Sequence, residues 1–183
     1  GDWNLREARN ELGKVSNVED YIEICHYRPF DDRFIFYDQS LITRPRSEIM
    51  AHMKQENLGL VSVRQIKTGE SRQHAFVGNH LIECCLVSSQ TSEIGYVFPL
   101  YIYPEQDSAP AFLPLDDLPQ PIQQKTANID QRVLQKLEQI YDKTISPEEF
   151  LYYIYAVLYS PTYRETYAPF LKIDYPRIPF TSD

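Results

Sequence analysis

Tyr21-Ile22-Glu23-Ile24-Cys25-His26-Tyr27-Arg28, then Pro29-Phe30-Asp31-Asp32, then Arg33-Phe34-Ile35-Phe36-Tyr37 is the stretch on which the fold class turns. The first eight residues alternate about Ile22 and Ile24, the period of a strand. Pro29 removes a backbone donor and ends the run, and Asp31-Asp32 supplies turn chemistry. Arg33 to Tyr37 is aromatic and branched, and reads as a second strand. Toward the N-terminus, residues 4–12 read as a short amphipathic helix stopped at Gly13. Toward the C-terminus, Pro45 suits the first turn of a helix with Ile49, Met50 and Met53 as its apolar stripe, ending at Asn57 or Gly59. Strands are expected over residues 58–65, 73–77, 81–87 and 94–103, with a loop around Gly69 and a turn at Gly78-Asn79.

From Pro104 to Thr126 the pattern changes. Pro104, Pro110, Pro114, Pro119 and Pro121 fix the backbone and remove donors, which predicts an extended connector. Beyond it the period becomes helical. Asp130 is placed to cap a helix carrying Val133, Leu134, Leu137, Ile140 and Tyr141. Ser146-Pro147-Glu148-Glu149 is a capping box followed by Phe150, Leu151, Ile154, Val157 and Leu158 on one face. Ser160-Pro161 stops that helix and starts another. The chain therefore reads as α+β: a β-rich region over residues 1–103, a proline-rich connector over 104–127 and a helical region over 128–183.

Composition narrows the function. The chain has 183 residues and a net charge of −8, which argues against non-specific attraction to nucleic acid. The distribution says more. Residues 26–74 carry Arg28, Arg33, Arg44, Arg46, Lys54, Arg64, Lys67 and Arg72, whereas residues 75–124 hold no Lys or Arg at all. Folding can turn these into separate faces, or the charges can be ordinary solvated surface. No apolar run approaches the ~18 residues of a membrane span, and no signal peptide opens the chain. Gly1 in place of Met reads as a tag remnant on an excised fragment. The odd cysteine count, Cys25, Cys84 and Cys85, suits reduced thiols inside a cell.

Catalytic patterns are absent. The chain has six glycines, none in a GxGxxG or P-loop order, and no GxSxG. His26, His52, His74 and His80 fall on separate predicted elements. Cys84 and Cys85 lie near His80, but strand alternation sends the two thiols to opposite faces, so no metal site is expected. Ser160-Pro161-Thr162-Tyr163 is a near miss to the tetrapeptide of amino-methylating DNA methyltransferases. It follows a helix rather than a buried strand and lacks the second proline, so it reads as a helix junction.

What remains is polar surface. Arg64 and Gln65 end a strand and lead into the loop of Lys67 and Arg72. Arginine can donate twice to guanine and glutamine can pair with adenine. Lys67 and Arg72 are suited to phosphate. Each alone can equally be a surface ion-pair partner.

A resemblance joins these residues. Tyr27-Arg28-Pro29-Phe30-Asp31-Asp32-Arg33, Ser40-Leu41-Ile42-Thr43-Arg44-Pro45-Arg46, and Asn57-Leu58-Gly59-Leu60 with Arg64-Gln65 resemble a signature of the type ISP restriction–modification enzymes. So do Gly95-Tyr96-Val97-Phe98-Pro99-Leu100-Tyr101, Tyr153-Ile154-Tyr155-Ala156-Val157-Leu158, Phe170-Leu171-Lys172-Ile173-Asp174 and Pro176-Arg177-Ile178-Pro179. The motifs run in the family's order from Tyr27 to the end. In that family one polypeptide joins a nuclease, an ATP-driven translocase, an adenine-N6 methyltransferase and a C-terminal specificity domain. The resemblance places this chain in the last part. It implies a cytoplasmic, non-catalytic fragment without cofactor or metal. Its partners would be double-stranded DNA and the methyltransferase domain of the same polypeptide, with no membrane. Expected DNA-binding residues are Arg64, Gln65, Lys67 and Arg72, then Arg28, Arg33, Arg44 and Arg46. Arg44 and Arg46 either brace the fold or grip phosphate. The rival reading is a protein-interaction module whose tyrosine-rich helices dock the methyltransferase or translocase. A weaker one, a piece of the catalytic domain, would show itself by binding S-adenosylmethionine.

Overall fold

The computed structural model describes residues 4–39, 41–66, 75–87, 93–104 and 125–180. In chain order the elements are α1 (Leu5–Leu12), β1 (Ile22–Arg28), β2 (Asp31–Phe36), α2 (Ser47–Met53), β3 (Gly59–Val63), β4 (Ala75–Gly78), β5 (Leu81–Ile82), β6 (Gly95–Pro99), β7 (Tyr101–Ile102) and β8 (Thr126–Ala127). Helices α3 (Gln131–Tyr141), α4 (Pro147–Tyr159), α5 (Pro161–Thr166) and α6 (Ala168–Leu171) follow. The class is α+β, strand-rich first and helical after.

Among the described residues the strands form three sheets. The first has the order β2-β1-β5, with β1 antiparallel to β2 and parallel to β5. The second is antiparallel, β4-β3-β6, and β7 pairs with β8 in a short third. Strand β3 sits in the middle and is covered on both sides. Val61 and Val97 face a core built from Met50 and Met53 of α2 and Cys25, Leu81 and Ile82 of the first sheet. Leu60 and Ala75 face the other way, onto Leu158, Tyr163 and Leu171 of the helical region. Each such side chain withdrawn from water contributes about 1.5–3 kcal/mol. Gly59 is needed where α2 meets β3: an added Cβ would lie 2.9 Å from Met53 Cε and 3.0 Å from Val97 Cγ1.

The helical region is tied to the second sheet by polar contacts too. Tyr159 donates its hydroxyl to the Ala75 carbonyl at 2.6 Å, and the Ile66 N–H bonds the Lys172 carbonyl at 3.1 Å. The local start signals fold as their chemistry dictates. Asn4 and Asp130 accept backbone N–H groups at their helix starts, and Ser146 with Glu149 forms the reciprocal capping box.

Four local expectations are corrected. Asp31 and Asp32 belong to β2, and the hairpin turns at Pro29-Phe30, with Phe30 at φ 64. The register pairs His26 with Asp32, whose side chains hydrogen-bond across the strands. Pro45 lies outside α2, because Arg46 precedes the helix in a left-handed conformation, φ 50. Strand β5 stops at Ile82 rather than running on, since Glu83 folds back to accept the Cys85 N–H at 2.8 Å. The run 94–103 breaks at Leu100, which bonds Leu58 and Asn128 through its backbone instead.

Buried Asn57 fixes that break. Its amide donates to the His52 carbonyl at 3.1 Å and the Tyr101 carbonyl at 2.8 Å. Its oxygen accepts the N–H groups of Leu58 at 2.9 Å and Tyr101 at 3.0 Å. All four hydrogen-bonding positions of one amide are used. Asn57→Ala is expected to lower stability by at least about 2 kcal/mol, since each orphaned buried group costs about 1–3 kcal/mol. Urea unfolding monitored by tyrosine fluorescence checks this, and an unchanged midpoint would show the clamp to be dispensable.

Candidate nucleic-acid interface

The sequence offered eight polar candidates, and their fates in the fold differ. Lys67 and Arg72 lie outside the described residues. Arg46 turns inward. Its guanidinium donates to the Gly95 carbonyl at 2.8 Å and the Ile82 carbonyl at 3.0 Å. Gly95 belongs to the second sheet and Ile82 to the first, so Arg46 bolts the two sheets together.

Arg28 is also committed. It donates to Glu83 Oε2 at 2.6 Å, both side chains being partly buried, and lies over the Tyr27 ring. The expected segregation of basic and acidic segments thus fails here: Glu83 of the acidic stretch neutralises an arginine of the basic one. Arg33 also lies over Tyr27, 4.0 Å from the ring centroid, and grips the Asp31 carboxylate with two nitrogens. That hydrogen bonding holds the Asp31 carboxyl below its ordinary range. Arg33 remains exposed.

Arg44, Arg64 and Gln65 are presented to solvent. Arg44 sits at φ 58, and neither Arg44 nor Gln65 has a side-chain partner among the described residues. Arg64 meets Asp174 at 3.2 Å, with the side chains 61% and 58% exposed. Asp174 is held below the usual carboxylate range, first by the Tyr175 backbone N–H and then by Arg64. An exposed pair of this kind contributes little to stability.

The fold brings Arg46, Arg64 and Gln65 to one end of the second sheet, with Arg28 next to it. Val63 pairs with Gly95, and Gly95 is the residue whose carbonyl Arg46 holds. Arg64 and Gln65 leave β3 directly after Val63. The Gly95 N–H bonds the Cys84 carbonyl at 2.8 Å, beside the Glu83 that holds Arg28. Sequence reasoning missed the neighbours of this end. Tyr96 and Phe98, each 45% exposed, project from β6 and meet Tyr175 edge-on at 5.6 and 6.0 Å. The available signal was the alternation in Gly95-Tyr96-Val97-Phe98-Pro99, whose burial pattern leaves 96 and 98 outward.

The family model of the Type ISP C-terminal specificity domain matches residues 2–183. The chain belongs to this family. Two solved structures share its fold. One is the DrdV–DNA complex determined by cryo-electron microscopy, with TM-score 0.69 and 24% identity over 91% of this chain. The other is a nuclease-deletion mutant of the Type ISP restriction-modification enzyme LlaGI with a DNA substrate mimic, with TM-score 0.59 and 22% identity over 91% of this chain. This chain spans only 14% and 12% of the lengths of those two chains. No curated protein sequence matches it.

The polar residues of this specificity domain therefore fall into two groups. Arg28 and Arg46 hold the frame, and Arg44, Arg64 and Gln65 stand on its surface. Stability measurements separate them. Arg46→Ala is expected to cost about 1–3 kcal/mol by leaving two carbonyls without donors, whereas Arg44→Ala should shift stability by less than about 0.5 kcal/mol. Equal losses in chemical unfolding would refute the division.

Proposed function

We propose that this chain binds duplex DNA and supplies the sequence reading of a restriction–modification polypeptide. The observation that carries this is the match to a specificity-domain family over residues 2–183. Two structural neighbours are complexes with DNA or a DNA mimic, which supports the same reading. A net charge of −8 gives no long-range attraction to phosphate, so binding rests on local contacts. Arg64 and Gln65 read base edges, Lys67 and Arg72 hold phosphate, and Arg44 and Arg33 are the secondary contacts. Arg28 and Arg46 act by keeping the reading end in shape. The chain contributes recognition and no catalytic group or cofactor of its own, and it works in the cytoplasm, where the DNA is.

The methyltransferase domain of the same polypeptide is the proposed protein partner. A specific surface favours it. On the β1–β2 hairpin, Phe30 is 104% and Phe34 75% exposed, and Ile24 lies opposite Phe34 in the register. Such an apolar face suits a protein rather than a phosphate backbone.

The test uses the full-length enzyme. Alanine at Arg64 or Gln65 should cost about 1–3 kcal/mol and relax one position of the recognised site. Alanine at Lys67 or Arg72 should weaken all sequences alike and lower the salt slope by about one unit. If all four variants methylate the same site at the parental rate, the reading surface is misassigned.

A further inference from the structure

The turn after β5 holds chemistry that DNA reading does not use. Because β5 ends at Ile82, Cys84 and Cys85 do not alternate as strand residues would. Their sulfurs stand 3.7 Å apart. Glu83 Oε1 lies 3.3 Å from Cys84 Sγ, and the three donor atoms all fall within 4.8 Å of one another. The geometry points to a binding site for a thiophilic divalent cation of the Zn2+ or Cd2+ class, held by Glu83, Cys84 and Cys85.

Two of the three donor spacings, 3.7 and 3.3 Å, lie close to those of a loaded site, and the third pair needs only a small closure from within 4.8 Å. Two thiolates at about 2.3 Å from a tetrahedral zinc lie about 3.8 Å apart, and a thiolate and a carboxylate oxygen lie about 3.6 Å apart. The donors are also oriented in advance. Glu83 Oε2 accepts from Arg28 Nη1 at 2.6 Å and from the Cys85 N–H at 2.8 Å, which leaves Oε1 beside the Cys84 sulfur. The Cys84 carbonyl is fixed by the Gly95 N–H. Outer hydrogen bonds of this kind set the orientation of ligating carboxylates. Cys84 is exposed, so a cation has access. Three protein donors leave a fourth position for water.

Soft thiolate donors select such cations over Mg2+ or Ca2+. Binding releases the thiol protons to solvent without any oxidation, and affinity rises with pH. Cys25 is buried on β1, and serves as an internal control.

The experiment is titration of the reduced 183-residue chain with Co2+, followed by displacement with Zn2+. One equivalent should develop the thiolate charge-transfer absorption of tetrahedral cobalt and lose it to zinc. Cys84→Ser and Cys85→Ser should abolish that absorption, Glu83→Gln should weaken binding by about 10–100-fold, and Cys25→Ser should leave it intact. On the unaltered chain, Zn2+ should shield Cys84 and Cys85 from iodoacetamide, read by peptide mass, so a variant that fails to fold does not decide the matter. Absence of thiolate absorption, or alkylation of both thiols unchanged by Zn2+, overturns the proposal. So does absorption that persists in the Cys84→Ser/Cys85→Ser double variant.

Discussion

Strand β3 must be dry on both faces, and the rest of the molecule is arranged to satisfy that requirement. Gly59, Val61, Ser62 and Val63 are all buried. A sheet with two apolar faces must bury both against other elements. One face is closed by α2 and the first sheet, the other by α4 to α6. The helical region is thus half of the core's cover, and the Tyr159–Ala75 and Ile66–Lys172 bonds fix how it lies.

This arrangement decides which arginines are spare. Closing the first sheet over β3 brings backbone carbonyls of Ile82 and Gly95 together, and Arg46 satisfies both. Arginine's fork of donors meets two acceptors at once, which lysine's single ammonium does less well. Arg28 is used up on Glu83 in the same neighbourhood. What these bonds hold steady is the end of the sheet from which Arg64 and Gln65 project. On the proposed function these two side chains read bases, and a reading side chain needs a rigid footing.

Much of the fold was legible because it is local. Asn4, Asp130 and Ser146 cap their helices through bonds to residues two or three positions away. The alternation of β1 and the apolar stripe of α4 are likewise short-range patterns. What misled was long-range. Arg46 looks no different from Arg44 in the sequence, yet its partners lie 49 and 36 positions away. The same contacts hold it outside α2, where the proline signal had placed the helix start. Residues 81–87 read as strand because they are apolar, but the Glu83 carboxylate captures the Cys85 N–H and ends the ladder. That local competition between a side chain and the sheet also brought together two thiols that alternation would have separated.

On the proposed function, the Gly95 end of the second sheet faces the bases. The most direct measurement is a cryo-electron microscopy map of the full-length enzyme on its target duplex. Arg64 and Gln65 are expected in the major groove, Arg46 still bonded to Gly95 and Ile82, and the apolar β1–β2 hairpin against protein. A map with the duplex lying along that hairpin, and Arg64 still paired with Asp174 in open solvent, would contradict it.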